Sequence, residues 1–183
     1  MFIELVRLKH GDSDLDELIR IHQEPSVSRF LSTSDNYFKY VTGTEGVDYY
    51  KIIVDGILVG GIHSEIDSNT VSLSICVDEK HRCLGIAEKS LQKFFSLLPS
   101  AVKTIEVYIE ETNIPSILLF QKLGFQTSEK EQELIKYCKL LSAPTPGTGK
   151  IPSPLTISGR TKSSVRRTLP GKITINWKPS SSH

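Results

Sequence analysis

Residues 71–87, VSLSICVDEKHRCLGIA, decide the fold, because they predict a strand, a turn and the opening of a helix. The first seven residues alternate between aliphatic and small polar side chains, which is typical of a strand with two different faces. The apolar residues then recur at helical spacing from Ile86 onward, and Gly85 and Ala87 are small where this helix begins. A helix N-terminus has free N–H groups and a partial positive charge, and small residues let an anion reach the backbone. The stretch therefore predicts a phosphate site, and the alternative is an ordinary helix cap with Arg82 in solvent.

Two stretches resemble motifs of the GNAT N-acetyltransferases. VDEKHRCLGIA is similar to motif A, R/Q-x-x-G-x-G/A after a strand ending in Val, and Arg82, Gly85 and Ala87 stand at its defining positions. NIPSILLFQKLGF, at 113–125, is similar to motif B, N-x-x-A/S-x-x-x-Y-x-x-x-G-F. The motifs occur in the family's order with a strand pattern between them, and the resemblance covers roughly residues 1–141.

The resemblance implies acetyl-CoA as co-substrate and no metal. In the family, acetyl-CoA lies in a cleft where two neighbouring parallel strands splay apart, which here would be 71–77 and 104–111. The pantetheine arm would bond the first strand and the pyrophosphate would lie on the loop. The cofactor-binding residues implied in this way are Ile75, Cys76, Val77, Arg82, Cys83, Leu84, Gly85, Ile86, Ala87, Asn113, Ser116 and Phe120.

The resemblance also implies two catalytic groups. A backbone N–H near Val77 would polarise the thioester carbonyl, as an oxyanion donor does. The family's usual Tyr, which protonates the leaving thiolate, is replaced here by Phe120, which cannot donate a proton. Ser116, one helical turn earlier, is the alternative donor, and unassisted loss of the thiolate or a water is another.

The sequence does not identify a single general base. Many family members place a carboxylate on the central strand, but the polar positions of 71–77 hold only Ser and Cys. His63, Glu65 and Tyr108 are the alternatives, and His63 titrates in the useful range. The acceptor could also lose its proton to water.

The remaining pattern predicts the element order βααβββαβαββ. A strand over 2–8 precedes two helices, one beginning at 12–14 and one over 26–31, and a loop over 32–47 follows. This order resembles the GNAT fold, an α+β three-layer sandwich with a mixed, mostly antiparallel sheet whose splayed central parallel strands are flanked by helices.

A hairpin of strands over 49–54 and 57–66 lies before the central strand. The Asp-Gly pair at 55–56 suits a type I′ turn, because both residues of such a turn need positive φ. The Gly pair at 60–61 indicates a bulge or a close backbone approach. The later strands are expected over 104–111, 125–128 and 133–141.

The formal net charge of +1 hides an asymmetry along the 183 residues. Residues 1–141 hold 15 Lys and Arg against 21 Asp and Glu, a net charge of −6, whereas residues 142–183 hold 7 Lys and Arg and no acid. The three cysteines are an odd number without metal-type spacing, which fits a reducing compartment. No segment is of signal-peptide or membrane-spanning length, so the expected location is the cytoplasm.

The resemblance implies a GNAT-like domain over 1–141, and the composition, which changes at residue 142, predicts a basic tail over 142–183. Ser, Thr, Pro and Gly make up 24 of the last 42 residues, with one strand-like stretch at 172–177. Such a segment buries little, so the tail is expected to be disordered, loosely attached or non-native.

The sequence is compatible with three functions. The leading one is an acetyl-CoA-dependent N-acetyltransferase that acts on a primary amine of a small molecule or a protein N-terminus by direct attack on the thioester. The second is a GNAT-like module that binds CoA without turnover, and the third is nucleic-acid binding through the tail, which the lack of interleaved aromatics disfavours. The sequence does not decide whether the protein forms a homodimer.

Overall fold

The computed structural model describes residues 1–31, 33–34 and 36–141. The strands are β1 (Ile3–Arg7), β2 (Val47–Val54), β3 (Ile57–Asp67), β4 (Thr70–Val77), β5 (Thr104–Glu110), β6 (Gln126–Glu131) and β7 (Leu134–Leu140). The helices are α1 (Leu15–Gln23), α2 (Pro25–Ser28), α3 (Tyr37–Gly43), α4 (Ile86–Leu97) and α5 (Ile114–Lys122), with a 3-10 turn at Glu79–His81.

The strands form one mixed sheet in the order β1-β2-β3-β4-β5-β7-β6. All neighbours pair antiparallel except β4 and β5, which are parallel. The parallel pairing covers only Thr70–Thr104, Val71–Ile105 and Ser72–Glu106. Because the rest of β4 pairs with β3 alone, the two central strands diverge toward their carboxyl ends, and the predicted fold class is confirmed.

The hairpin before β4 has the expected turn. Asp55 and Gly56 have φ values of 49° and 84°, as a type I′ turn requires. The register shifts from Ile53–Leu58 to Ile52–Gly60, so one extra residue of β3 forms a bulge beside the predicted position.

The expectation of a loop over 32–47 is wrong, because α3 lies within it and β2 begins at Val47. Tyr37 and Val41 are buried on one face of α3, at the i, i+4 spacing of a helix. The polar Ser, Thr and Asn residues around this single buried stripe hid it in the sequence. The second helix also differs, since it begins at Pro25 and ends at Ser28 rather than spanning 26–31.

The helices cover the two faces of the sheet. Tyr50 packs against Phe94 of α4, whereas its neighbour Tyr49 packs against His22 of α1 and Phe38 of α3. Successive residues of a strand point to opposite faces, so α4 lies on one face and α1 and α3 on the other. We call these the α4 face and the α1 face.

Residues 142–183, predicted as the basic tail, lie outside the described residues. In the part of the chain that the structure describes, no helix is long and apolar enough to cross a membrane.

Candidate functional site

A pocket of about 200 Å³ opens where β4 and β5 diverge. Its walls come from the end of β4, the loop that follows, the first turn of α4, one residue of α2 and three residues of α5. The lining residues are Val27, Ile75, Cys76, Val77, His81, Arg82, Cys83, Gly85, Ile86, Ala87, Glu88, Pro115, Ser116 and Leu119.

The loop between β4 and α4 has the geometry of an anion site. The Asp78 side chain accepts a hydrogen bond from Lys80 N at 2.9 Å, which starts the 3-10 turn. Cys83 and Gly85 both have positive φ, 61° and 75°, and Gly85 is the N-cap of α4. A Cβ on Gly85 would meet no atom within 4 Å, so the backbone is open there. The first N–H groups of α4, which have no partner within the helix, therefore lie at the pocket wall.

Arg82 is a brace of this loop rather than a solvated residue. Its Nε donates to Val77 O at 2.8 Å, Nη2 lies 3.6 Å from Glu24 Oε2, and the side chain is 8% exposed. Burial lowers the pKa of this guanidinium. Within the described residues Nη1 is buried without a hydrogen-bond partner. An anion in the pocket would satisfy this donor, so the loop fits a phosphate group.

The loop is also tied to the end of α1. Arg20 bonds Asp78 Oδ2 at 3.1 Å and Glu24 Oε1 at 3.0 Å. Glu24 Oε2 accepts from Glu79 N at 3.1 Å. Burial acts to raise the pKa of Asp78, but its bonds from Lys80 N and Arg20 outweigh it and lower that pKa. The sequence carries no signal for the bonds that join α1 to the loop, because their partners, Arg20 with Asp78 and Glu24 with Glu79, lie more than fifty residues apart.

Nine of the twelve implied cofactor residues line the pocket, and three do not. Leu84 is 59% exposed beside it. Asn113 is fully buried and caps α5, where its Oδ1 accepts from Ser116 N at 3.3 Å. Phe120 is fully buried and packs edge-on against Phe125, with ring centroids 5.0 Å apart. Asn113 thus holds Ser116 in the pocket wall.

His63 does not line the pocket and lies on the α1 face. It is 2% exposed, with Tyr37 Oη 2.7 Å from Nδ1 and Glu65 Oε1 3.0 Å from Nε2. Tyr40 Oη donates to the same carboxylate oxygen at 3.1 Å. The hydrogen bond from His63 lowers the pKa of Glu65. The sequence named His63 and Glu65 separately and missed both tyrosine partners.

A second buried group joins α1 to β4. His22 Nε2 lies 2.8 Å from Tyr49 Oη and 3.6 Å from Cys76 Sγ. Burial lowers the pKa of His22 to about 4 and raises the pKa of Cys76 to about 11, so the imidazole is neutral and the sulfur is a thiol at neutral pH. Cys76 reaches the pocket as well, so this group connects the pocket to the α1 face.

Within the described residues, no group of three or more His, Cys, Asp or Glu side chains is placed to hold a metal ion.

The family model for the Acetyltransferase (GNAT) family matches residues 15–125, which contain the loop, the diverging strands and α5. The chain belongs to the GNAT acetyltransferase family. An N-alpha-acetyltransferase of Sulfurisphaera tokodaii is 31% identical over 134 residues, and the match covers 62% of this chain and 75% of that protein.

Solved structures share the GNAT fold. An acetyltransferase from Thermus thermophilus has a TM-score of 0.67 and 17% identity, covering 77% of this chain and 98% of its own. The N-acetyltransferase PseH of Campylobacter jejuni, in complex with acetyl coenzyme A, has a TM-score of 0.62 and 14% identity, covering 77% of this chain and 100% of its own. At these identities the likeness shows the fold.

Proposed function

We propose that this GNAT protein is an acetyl-CoA-dependent N-acetyltransferase, which moves the acetyl group to a primary amine of a small molecule or a protein N-terminus. The observation that carries the proposal is the pocket where β4 and β5 diverge, which ends on a loop with an open backbone and the buried donor Arg82 Nη1. The names of the Sulfurisphaera tokodaii and Campylobacter jejuni relatives support amine acetylation.

Different groups of the protein would bind different parts of acetyl-CoA. The N–H groups of the loop up to Ala87 and Arg82 Nη1 would hold the pyrophosphate. Nη1 is a buried cationic donor without a hydrogen-bond partner in the described residues, and the first N–H groups of α4 have no acceptor within the helix. In the described sheet, no strand pairs with Ile75–Val77 on the side that faces away from β3, so this edge would bond the pantetheine amides in place of a neighbouring strand. When bound, acetyl-CoA supplies an activated acetyl thioester. A backbone N–H near Val77 would then stabilise negative charge on the thioester oxygen.

The leaving sulfur has no phenol at the family's usual position. Phe120 is part of the core, whereas Ser116 lines the pocket. Because a thiol ionises near pKa 8.5, its thiolate is a tolerable leaving group, and Ser116 can donate a hydrogen bond to it.

The same observation about Phe120 favours a second candidate, a GNAT-like module that holds CoA without turnover. Loss of the proton donor would slow the release of the sulfur while leaving the binding loop intact. The two candidates differ in whether thioester is consumed when an amine is added.

The proposal is tested by a matched pair of variants in α4, Ala87→Glu and Gln92→Glu. Both add one negative charge to the same helix, but Ala87 lines the pocket and Gln92 is exposed farther along the helix. A carboxylate in the first turn favours the helix, so Ala87→Glu folds while its charge and volume exclude the pyrophosphate. At one hundred times its Kd, acetyl-CoA raises the free energy of unfolding of the unchanged protein and of Gln92→Glu by about 2.7 kcal/mol.

Ala87→Glu should show no such shift in thermal unfolding. Release of free thiol, followed colorimetrically with acetyl-CoA and a panel of amines and peptides, then separates the candidates. Thiol release that depends on an amine supports the transferase, and binding without release on any acceptor supports the module. Equal stabilisation of both variants would contradict a cofactor site on this loop.

A further inference from the structure

Cys83 carries a thiol at the wall of the pocket that the proposed function does not use. The residue lies in the loop between β4 and α4, lines the pocket and is exposed to solvent. Cys76 is buried and Cys138 is only partly exposed, so Cys83 is the most accessible of the three free cysteines. A disulfide in solution can therefore reach its sulfur without any movement of the fold.

The neighbouring residue, Arg82, is an independent sign that this loop receives an anionic ligand. Its side chain is 8% exposed, its Nε donates to Val77 O, and its Nη2 lies 3.6 Å from Glu24 Oε2. In the part of the chain that the structure describes, Nη1 is buried and has no hydrogen-bond partner. Because Arg82 and Cys83 line the same pocket, this donor is available to an anionic group of a molecule that reacts with the thiol.

Three carboxylates near the loop already have cationic partners. Glu88, which lines the pocket, lies 2.7 Å from Lys122 Nζ. Asp78 and Glu24 lie 3.1 and 3.0 Å from the guanidinium group of Arg20. An anion that enters the pocket therefore meets an unpartnered guanidinium nitrogen and the first N–H groups of α4, whereas a cation meets carboxylates that other residues hold.

We propose that Cys83 is a modification site, at which the thiol forms a mixed disulfide with a small anionic disulfide such as glutathione disulfide, and that this modification closes the pocket to acetyl-CoA. The inference rests on the proposed function and adds a regulation of the same site. Arg82 Nη1 and the N–H groups of α4 would hold a carboxylate of the incoming disulfide beside the thiol.

The exchange needs no oxidant other than the disulfide itself. The Cys83 thiol gives its proton to water, and its sulfur forms a bond to one sulfur of the disulfide. The original S–S bond breaks, and its electron pair leaves with the second sulfur as a thiolate, which then takes up a proton. The sulfur of Cys83 is oxidised and the departing sulfur is reduced. An excess of a reducing thiol reverses the step by the same exchange.

The attached group and the cofactor would compete for one site. The pocket has a volume of about 200 Å³, and a glutathionyl group is a whole tripeptide fixed to its wall. A carboxylate of that group would also take the donors that the pyrophosphate needs, since both are anions. Bound acetyl-CoA should in turn protect Cys83 from the disulfide.

The first test compares two disulfides on two variants. Cys138→Ser leaves Cys83 as the accessible thiol, Cys83→Ser leaves Cys138, and the buried Cys76 is common to both. By intact-mass spectrometry, glutathione disulfide should modify Cys138→Ser about tenfold faster than Cys83→Ser, because the donors beside Cys83 concentrate an anion there. Cystamine, a cationic disulfide, should give a clearly smaller ratio of the two rates. An equal ratio for glutathione disulfide and cystamine would overturn the proposal.

The second test measures whether the modification closes the pocket. Cys138→Ser that carries glutathione on Cys83 should lose its stabilisation by acetyl-CoA in thermal unfolding, and dithiothreitol should restore it. Cys83→Ser, treated in the same way, should keep the stabilisation. Full stabilisation of the protein modified at Cys83 would overturn the proposal. If acetyl-CoA did not stabilise the reduced protein either, the proposed function would be contradicted, and a preference of Cys83 for glutathione disulfide would still support the modification site.

Discussion

The sites on the two faces of β4 differ in the chemical groups that form them. Toward α4, the site is built mainly from one stretch of chain, residues 75–88, with its backbone groups and one buried arginine, while α2 and α5 complete the walls. Toward α1, it consists of side chains from β2, β3, α1 and α3 that bond one another across the fold. The first kind of site depends on backbone groups that many sequences can supply, whereas the second depends on particular side chains.

The largest effect is expected where the two faces share backbone. Gly60 packs so closely on β4 that a Cβ would lie 2.1 Å from Cys76 O. Gly60→Ala must therefore displace β4 beside the pocket, and it should lower the free energy of unfolding by about 3 kcal/mol. Chemical denaturation with and without acetyl-CoA measures both this loss and the weakening of cofactor binding.

Gly43→Ala is the control for that change. Gly43 ends α3, and a Cβ there would meet no atom within 4 Å. Alanine in a helix should leave stability unchanged or raise it by up to about 1 kcal/mol. If Gly60→Ala and Gly43→Ala had the same free energy of unfolding, the close packing of β3 on β4 would not contribute to stability.

A pH effect should distinguish the α1 face. His22 is surrounded by Tyr37, Tyr49, Cys76 and, more distantly, His63, and its pKa in the fold is about 4 against 6.5 in the unfolded chain. The unfolded state binds the extra proton, so this contribution to stability is complete above pH 6.5 and is lost as the pH falls from there toward 4. The loss should be on the order of 2 kcal/mol at about pH 4.5.

His22→Gln isolates this term, because glutamine does not titrate but can still bond Tyr49. The difference in unfolding free energy between the two proteins, measured by urea denaturation across this range, should shrink as the pH falls. A difference that stays constant with pH would mean that His22 is already charged in the fold or is solvated.

The smallest effect is expected from Tyr40→Phe. The variant removes one of the two hydrogen bonds to Glu65 and should cost about 1 kcal/mol of stability, since the site is partly exposed. The bond from Tyr40 lowers the pKa of Glu65, so that pKa should rise in the variant, as a carbon-13 NMR titration of the carboxyl would show. Binding of acetyl-CoA should not change. An unmoved Glu65 pKa would mean that the hydrogen bond from Tyr40 does not stabilise the charged carboxylate.

The same contrast explains what the sequence could predict. The turn of the hairpin and the start of α4 depend on local signals, the glycines at 56 and 85, where the structure has positive φ. The divergence of β4 and β5 was implied by the resemblance to the family and not by a local signal, and it also agrees with the structure. Helix α3 was missed because its buried stripe is only two residues within a polar stretch. The pairing of His22 with Cys76 spans 54 residues and that of Tyr37 with His63 spans 26, and nothing in a single sequence brings such partners together.

The short parallel pairing of β4 with β5 has a mechanical consequence. Three residue pairs join the part of the sheet formed by β1–β4 to the part formed by β5–β7, and beyond these pairs β4 and β5 are not hydrogen-bonded to each other. A ligand that enters this gap and bonds both strands takes the place of an interior strand of the sheet. Occupancy and the rigidity of the whole scaffold are thereby linked, so that the substrate becomes part of the architecture that binds it.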